Sequence, residues 1–236
     1  MKKFMILTLV SLSLVGCSSG KNNETKPSST PSTTKSSSST SSKETSQTKE
    51  SNQAKNTTLT KDQFYSKETV STINQQFLNW ASERAKVGGM AVTSEFFDHG
   101  AAGRGDWYAI TPDGLALAQD LENPGYDYFP LHIVGGVTFY YSKNGTVGQT
   151  TERNKSSFAA GFGEVAYDNK PIVKYILCDN GMIYELQSNI SLSSGFSEAS
   201  DDGEISRSQI NEQEFTRSED KDAIQEYQRI ISSVTQ

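Results

Sequence analysis

Apolar residues recur at helical spacing early in the chain: Val70, Ile73, Phe77 and Trp80 fall three or four apart, and Leu78, Ala81 and Ala85 widen the stripe. That period predicts a long amphipathic helix laid on a core, started near Ser66 and stopped by Gly88 and Gly89. A first turn lies just ahead of it, where Thr60 and Gln63 have capping-box spacing. Beyond Gly89 the pattern shortens. Residues 91–97, 106–111 and 131–141 read as strands, the last interrupted by Gly135 and Gly136 as a bulge would interrupt it. Pro112-Asp113-Gly114 is turn chemistry, and 115–128 is open between a short helix and a loop. Asn144-Gly145 predicts a two-residue hairpin into 146–151. Residues 158–167, 171–178 and 182–187 follow as three strand-like runs joined by short turns, which predicts an antiparallel meander. Residues 189–196 allow one helical turn. After the polar stretch 197–217, Ser218 is placed to cap a final helix with Ala223, Ile224, Tyr227, Ile230, Ile231 and Val234 on one face. The expected class is α+β, an antiparallel sheet of about five or six strands with a long N-terminal amphipathic helix and a C-terminal helix. No internal repeat is present.

Ahead of this pattern the chain has a different character. Lys2 and Lys3 precede an apolar run, 4–14, that is too short to span a bilayer, and Leu14-Val15-Gly16-Cys17 closes it with small residues before a cysteine. The ending resembles a bacterial lipobox. The resemblance implies a signal peptide at 1–16 cut before Cys17, diacylglycerol on the Cys17 thiol, and a mature chain held to the outer face of the cell membrane. Two acyl chains, each methylene contributing about 0.8 kcal/mol when buried, retain a protein where one would not. The alternative is a cleaved secretory signal in which Cys17 is incidental. Of the 42 residues from Ser18 to Leu59, 22 are Ser or Thr, so the segment cannot offset its ordering entropy by burial. It reads as a disordered tether spanning on the order of 35 Å as a flexible coil. A glycosylated stalk is the rival reading. Residues 60–236 are then of a size for one domain.

Charge divides the same way. Residues 1–59 carry eight Lys and three Glu, a balance of +5, whereas 60–236 carry 14 Lys or Arg against 25 Asp or Glu, a balance of −11. A basic tail suits anionic head groups, and an acidic domain is repelled from nucleic acid. Nucleic acid is therefore not an expected partner, and a monomer is expected. With Cys17 acylated, Cys178 is the one remaining thiol. It ends an apolar run from Ile172 and reads as a buried strand cysteine rather than a reactive one.

Candidate chemistry is sparse. Asp98-His99, on a glycine-rich loop, is the best acid and base pair, since a carboxylate beside an imidazole can orient it. The other histidine, His132, sits in a separate strand. The serine elbow, H-E-x-x-H, paired C-x-x-C and the phosphate-binding Walker loop are all missing from the sequence. Gly161-Phe162-Gly163-Glu164-Val165-Ala166 matches G-x-G-x-x-A, but the helix that should follow it is not predicted. Glu198, Asp201, Asp202 and Glu204 lack EF-hand spacing and read as a solvated acidic loop. Arg104-Gly105-Asp106 is an integrin-type tripeptide on a predicted loop. Tyr126, Tyr128 and Phe129, next to Pro130, offer an aromatic platform for a sugar ring or peptide. No cofactor and no metal site are expected.

Several landmarks recur together in one order: the Trp80 helix, Trp107-Tyr108-Ala109-Ile110 with Pro112, Val134-Gly135-Gly136-Val137 with Tyr140, Asn169-Lys170-Pro171-Ile172-Val173, Asn180-Gly181, and Asn189 with Leu192, Gly195 and Phe196. Over residues 61–200 this resembles a domain of unknown function found in small surface lipoproteins of lactic-acid bacteria and their relatives. The Arg104-Gly105-Asp106 loop and the helix after Ser218 depart from that pattern. The resemblance implies location and fold and carries no activity with it. The function expected is a membrane-anchored, non-enzymatic module that binds an envelope glycan or a protein partner. The alternatives are a hydrolase using carboxylates and His99, and a structural or assembly factor of the envelope.

Overall fold

The computed structural model describes residues 58–100, 103–155, 157–188, 191–205 and 213–235. Cys17 and the tether, apart from Thr58 and Leu59, lie outside the described residues. Among the described residues there are three α-helices: α1 (Lys61–Tyr65), α2 (Lys67–Gly88) and α3 (Lys221–Val234). Thr60 closes a capping box with Gln63 at the start of α1. Ser66 Oγ accepts the Thr69 N–H at the start of α2, and the helix ends where Gly89 turns left-handed at φ 63°. Ile73, Phe77, Ala81 and Ala85 form its buried stripe.

The strands are β1 (Ala91–Thr93), β2 (Trp107–Thr111), β3 (Gly114–Gln119), β4 (Leu131–Tyr140), β5 (Gly148–Gln149), β6 (Ile172–Cys178), β7 (Ile183–Ser188), β8 (Phe196–Glu198) and β9 (Thr216–Arg217). They form one nine-stranded sheet in the order β8-β2-β3-β4-β6-β7-β9, with β1 and β5 attached beside β4. The sheet is mixed. β3 runs parallel to β4, with Ala116 opposite Leu131, and β5 runs parallel to β1. The expected antiparallel sheet of five or six strands is thus corrected to a mixed sheet of nine, carrying helices of 5, 22 and 14 residues.

The central strand explains the branching. β4 is ten residues long and buried throughout, so one of its edges has room for β3 at its start and β1 at its end, while β6 takes the other. Its pairing with β6 slips between Ile133 and Gly135, a bulge. Asn74 of α2 enters there and donates to the carbonyls of Val134 (2.8 Å) and Val70 (2.9 Å). A Cβ on Gly135 would overlap the Asn74 amide, and one on Gly136 the Phe96 ring and the Tyr175 carbonyl. Both glycines are therefore required by close approach.

Side chains of β6 alternate across the sheet. Tyr175 and Leu177 pack with Ile73, Phe77, Tyr227 and Ile230 from the helices, whereas Ile176 and Cys178 pack with Ala109, Tyr184, Phe196 and Phe215 on the opposite side. Each fully buried apolar side chain contributes about 1.5–3 kcal/mol. Leu59, at the start of the described chain, also enters the helix-side core, and its N–H donates to the Asp179 carbonyl (2.9 Å).

Local expectations change in several places, and residues 94–97, expected as strand, lie beyond the end of β1. Residues 115–128 hold β3 and then a 3₁₀ turn at Tyr126–Tyr128. Residues 158–167 are not a strand but a 3₁₀ turn and further turns, in which Phe162, Val165 and Ala166 pack against Tyr140. The turn after β4 forms, with the Gly145 N–H donating to the Ser142 carbonyl, but the chain returns beside β1 instead of β4. Asp220, not Ser218, caps α3: its Oδ1 accepts the Ala223 N–H (3.1 Å), while the Ser218 hydroxyl donates to Glu185 (2.7 Å). Among the described residues no helix is long and apolar enough to cross a membrane.

Candidate functional site

The fold separates the residues that the sequence offered as an acid and base pair. Asp98 Oδ1 accepts the Gly100 N–H (3.1 Å) and serves its own loop. The His99 ring instead stacks on Trp107 at 4.4 Å and 13°, with Nε2 bonded to Gln119 Oε1. His132 is enclosed. Its Nε2–H donates to the Tyr126 carbonyl (3.0 Å), which can only accept, and Nδ1 faces Asp179 Oδ2 at 2.7 Å. Asp179 also accepts the His132 N–H (3.0 Å), so the pair joins the start of β4 to the end of β6. Neither ring nitrogen is left for a substrate. Cys178 is fully buried, and burial pushes its thiol well above the usual range.

The aromatic platform is also divided. Tyr126 lies flat on His132 (3.6 Å, 7°), with the Lys61 ammonium 4.7 Å from its ring centre. Phe129 is buried against Tyr108, and Tyr128 alone is exposed. Three neighbours in sequence thus occupy three environments and present no shared face.

Arg104-Gly105-Asp106 takes a shape unsuited to display. Asp106 is fully buried, and its carboxylate accepts the N–H groups of Leu121 (2.7 Å), Asn123 (3.1 Å) and Gly125 (2.5 Å). Those amides belong to the crossover that carries the chain from β3 into parallel pairing with β4. A Cβ on Gly105 would overlap the Ala199 carbonyl, so this glycine packs tightly as well. In the acidic stretch, the Ser200 hydroxyl bonds Asp202, and Asp201 accepts the Arg104 N–H (3.2 Å). Among the described residues, no three His, Cys, Asp or Glu side chains gather as metal ligands would.

Lys174 is the least expected interior group. It is fully buried, and its ammonium donates to the carbonyls of Ser191 (2.8 Å), Leu192 (2.7 Å) and Ser194 (3.1 Å). Burial pulls it down to about 7, while one acceptor for each N–H favours the protonated form. It fastens the segment after β7 to β6.

An open polar cleft of about 530 Å³ lies elsewhere, lined by Asn144, Thr146, Thr150, Thr151, Glu152, Lys155, Glu164 and Val165. Three segments build it: the turn after β4, the stretch from β5 into a 3₁₀ turn at Glu152–Lys155, and the turns before Ala166. Backbone bonds join the first and third, from Lys143 N to the Val165 carbonyl (2.7 Å) and from Tyr167 N to the Tyr141 carbonyl (3.0 Å). The second is gathered by Glu152, whose carboxylate accepts from Tyr140 Oη (2.9 Å), Asn144 Nδ2 (3.0 Å) and Thr146 Oγ1 (2.9 Å). Partial burial pushes this carboxyl upward, but the hydrogen bonds from Asn144, Ser142, Tyr140 and Thr146 outweigh it and hold it below the usual range.

Sequence reading missed this cleft. Its one local signal is the polar run Thr150-Thr151-Glu152-Arg153-Asn154-Lys155 between strand-like segments, which reads as an ordinary loop until the fold brings Glu164 to it. Comparison of the chain with protein-family models, with characterised proteins and with solved structures finds no match.

Proposed function

We propose that this chain is a surface lipoprotein of the kind its core and turn residues resemble, anchored through diacylglycerol on Cys17 to the outer face of a bacterial cell membrane. The Ser/Thr-rich tether that follows Cys17 presents a binding module to an envelope component. The observation that carries the binding reading is a contrast. The groups suited to catalysis, His132 and Cys178, are committed to the interior, and Asp98 does not serve His99, whereas the cleft beside Glu152 opens to solvent with polar groups to spare. The acidic balance of residues 60–236 also favours a partner that is not a polyanion.

Two measurements test this. Labelled palmitate should enter the wild-type chain and not Cys17→Ala, and the variant should move from the membrane fraction to precursor or medium. Unchanged membrane retention would contradict the anchor. The purified full chain should co-sediment with isolated envelopes without degrading them. Turnover of an envelope glycan or peptide that is lost in His99→Ala would overturn the non-enzymatic reading in favour of a hydrolase.

A further inference from the structure

The lining of the cleft divides into groups that build it and groups left to face a ligand. Glu152 builds. Four side-chain donors reach its carboxylate, which fills the lone-pair directions that it has. Thr146 donates its hydroxyl hydrogen to Glu152 and so offers an oxygen that accepts. Thr150 Oγ1 accepts the Glu152 N–H (3.0 Å) and keeps its own proton to donate. Thr151, Lys155 and Glu164 are exposed, and their side chains have no partner among the described residues.

The free groups therefore include one ammonium, one carboxylate, and hydroxyls that either donate or accept. Their charges cancel. With the ionised Glu152 beside them the lining carries two negative charges to one positive, which repels an anion, whereas a sugar hydroxyl, both donor and acceptor, can be satisfied by every free member of the set. Of the lining residues Val165 alone is apolar, so affinity must come mainly from hydrogen bonds formed on walls already fixed by the backbone ties. Such a site binds single sugar units weakly and gains from a repeating polymer.

We infer that this cleft is a saccharide site that takes a neutral, hydroxyl-rich sugar unit through Thr150, Thr151, Lys155 and Glu164, on a wall positioned by Glu152. The inference rests on the binding-module reading above and assigns its ligand class. The test uses the purified full chain and saturation-transfer NMR with neutral trisaccharides of glucose, galactose and N-acetylglucosamine, beside the dipeptide Ala-Ala and glycerol phosphate. At least one trisaccharide should bind, and Thr151→Val with Glu164→Gln should weaken it about tenfold, roughly 1.4 kcal/mol. Tyr128→Ala, outside the cleft, should change it less than about twofold. The saccharide assignment is overturned if no trisaccharide binds, if the double variant binds as well as wild type, or if the dipeptide or glycerol phosphate binds in preference. Envelope co-sedimentation separates the two levels. Envelope binding that survives the double variant leaves the module reading standing and removes the cleft from it, whereas wild type that never binds envelopes removes the module reading itself.

Discussion

Asp106 provides the sharpest test of how this fold is held. Its carboxylate is fully buried and is the shared acceptor for three backbone N–H groups of the crossover between β3 and β4. Hydrogen bonds to a charged acceptor contribute about 1.5–3 kcal/mol each, but these amides are only partly buried, so water replaces part of what is lost. Asp106→Ala should then cost about 3–5 kcal/mol, a large share of a typical stability of roughly 5–15 kcal/mol. Asp106→Asn is more discriminating. Its amide oxygen can keep the bonds from Leu121 and Asn123, but its NH₂ then faces the Gly125 N–H, donor against donor. The cost should be about 2–3 kcal/mol, or roughly 5–10 °C in Tm for a domain of this size. Asp98→Asn, which touches one exposed amide, should stay within about 0.5 kcal/mol of wild type. Urea and thermal unfolding of the three variants measure this directly. An Asp106→Asn protein within about 0.5 kcal/mol of wild type would refute the role given to the carboxylate, and would free the Arg104-Gly105-Asp106 tripeptide to be considered again as a displayed motif.

Three further outcomes follow from Glu152, Lys174 and Gly135. The Glu152 carboxyl is held below the usual 4.5, so its contribution is present above that value and is lost as pH falls through the folded one. Glu152→Gln should lower stability by about 2 kcal/mol at pH 7 and flatten the acid limb of the unfolding curve, and an unchanged acid limb would contradict this. Lys174 lies the other way: its folded value near 7 is below the 10.5 of a free lysine, so the unfolded chain binds more protons between them and stability rises with pH across that window. Titration of the Lys174 side chain by NMR should give a midpoint near 7, and a midpoint above about 10 would mean that the three carbonyls outweigh burial. Gly135→Ala should destabilise by about 1–3 kcal/mol, because the Asn74 amide in its way is pinned by two hydrogen bonds. Adding Asn74→Ala should recover part of that loss, and a fully additive double variant would argue against the proposed clash.

The parts of the fold legible in sequence are those with local causes. The buried stripe from Ile73 to Ala85 is set by helical period, its start by the Ser66 side chain and its end by Gly89, all within the segment itself. The bulge at Gly135 is legible too, because a glycine pair inside an apolar run weakens a strand unless the backbone bends or another group approaches it closely. What sequence does not show depends on distant partners. Gly114-Leu115-Ala116-Leu117-Ala118-Gln119 consists largely of helix formers, yet it is a strand because β2 and β4 flank it and the Asp106 carboxylate fixes the crossover behind it. The run 158–167 has strand-like composition, but Gly161 has φ 52° and Phe162, Val165 and Ala166 turn inward together onto Tyr140. Ser218 has the chemistry of a cap and loses that place to Asp220 because Glu185 claims its hydroxyl. Of the candidate residues, Tyr126 and Phe129 are offered by the sequence as part of an aromatic platform, but whether they face water depends on distant partners, and α1 and Tyr108 cover them.

These failures share a physical origin that bears on the cleft. Hydrophobic residues are 34% of the chain, and several strands have only two or three residues, too few to fix long connections by apolar burial alone. Polar side chains fix them instead: Asp106 the β3 to β4 crossover, Asp179 and His132 the start of β4, Lys174 the segment after β7, and Glu152 the return from β4 to β5. Each binds backbone or side-chain groups contributed from elsewhere in the chain, so none is recognisable from its immediate sequence. Their surroundings differ in one respect. Asp106, His132, Asp179 and Lys174 are buried, whereas Glu152 is partly exposed and lines the open cleft. A carboxylate with every direction filled cannot bind a ligand strongly itself, but it holds Thr146 and Asn144 in fixed positions around that opening. The residues that bind should therefore be its neighbours. Loss of Glu152 should loosen the site, whereas loss of Thr151 or Glu164 should weaken binding and leave folding intact.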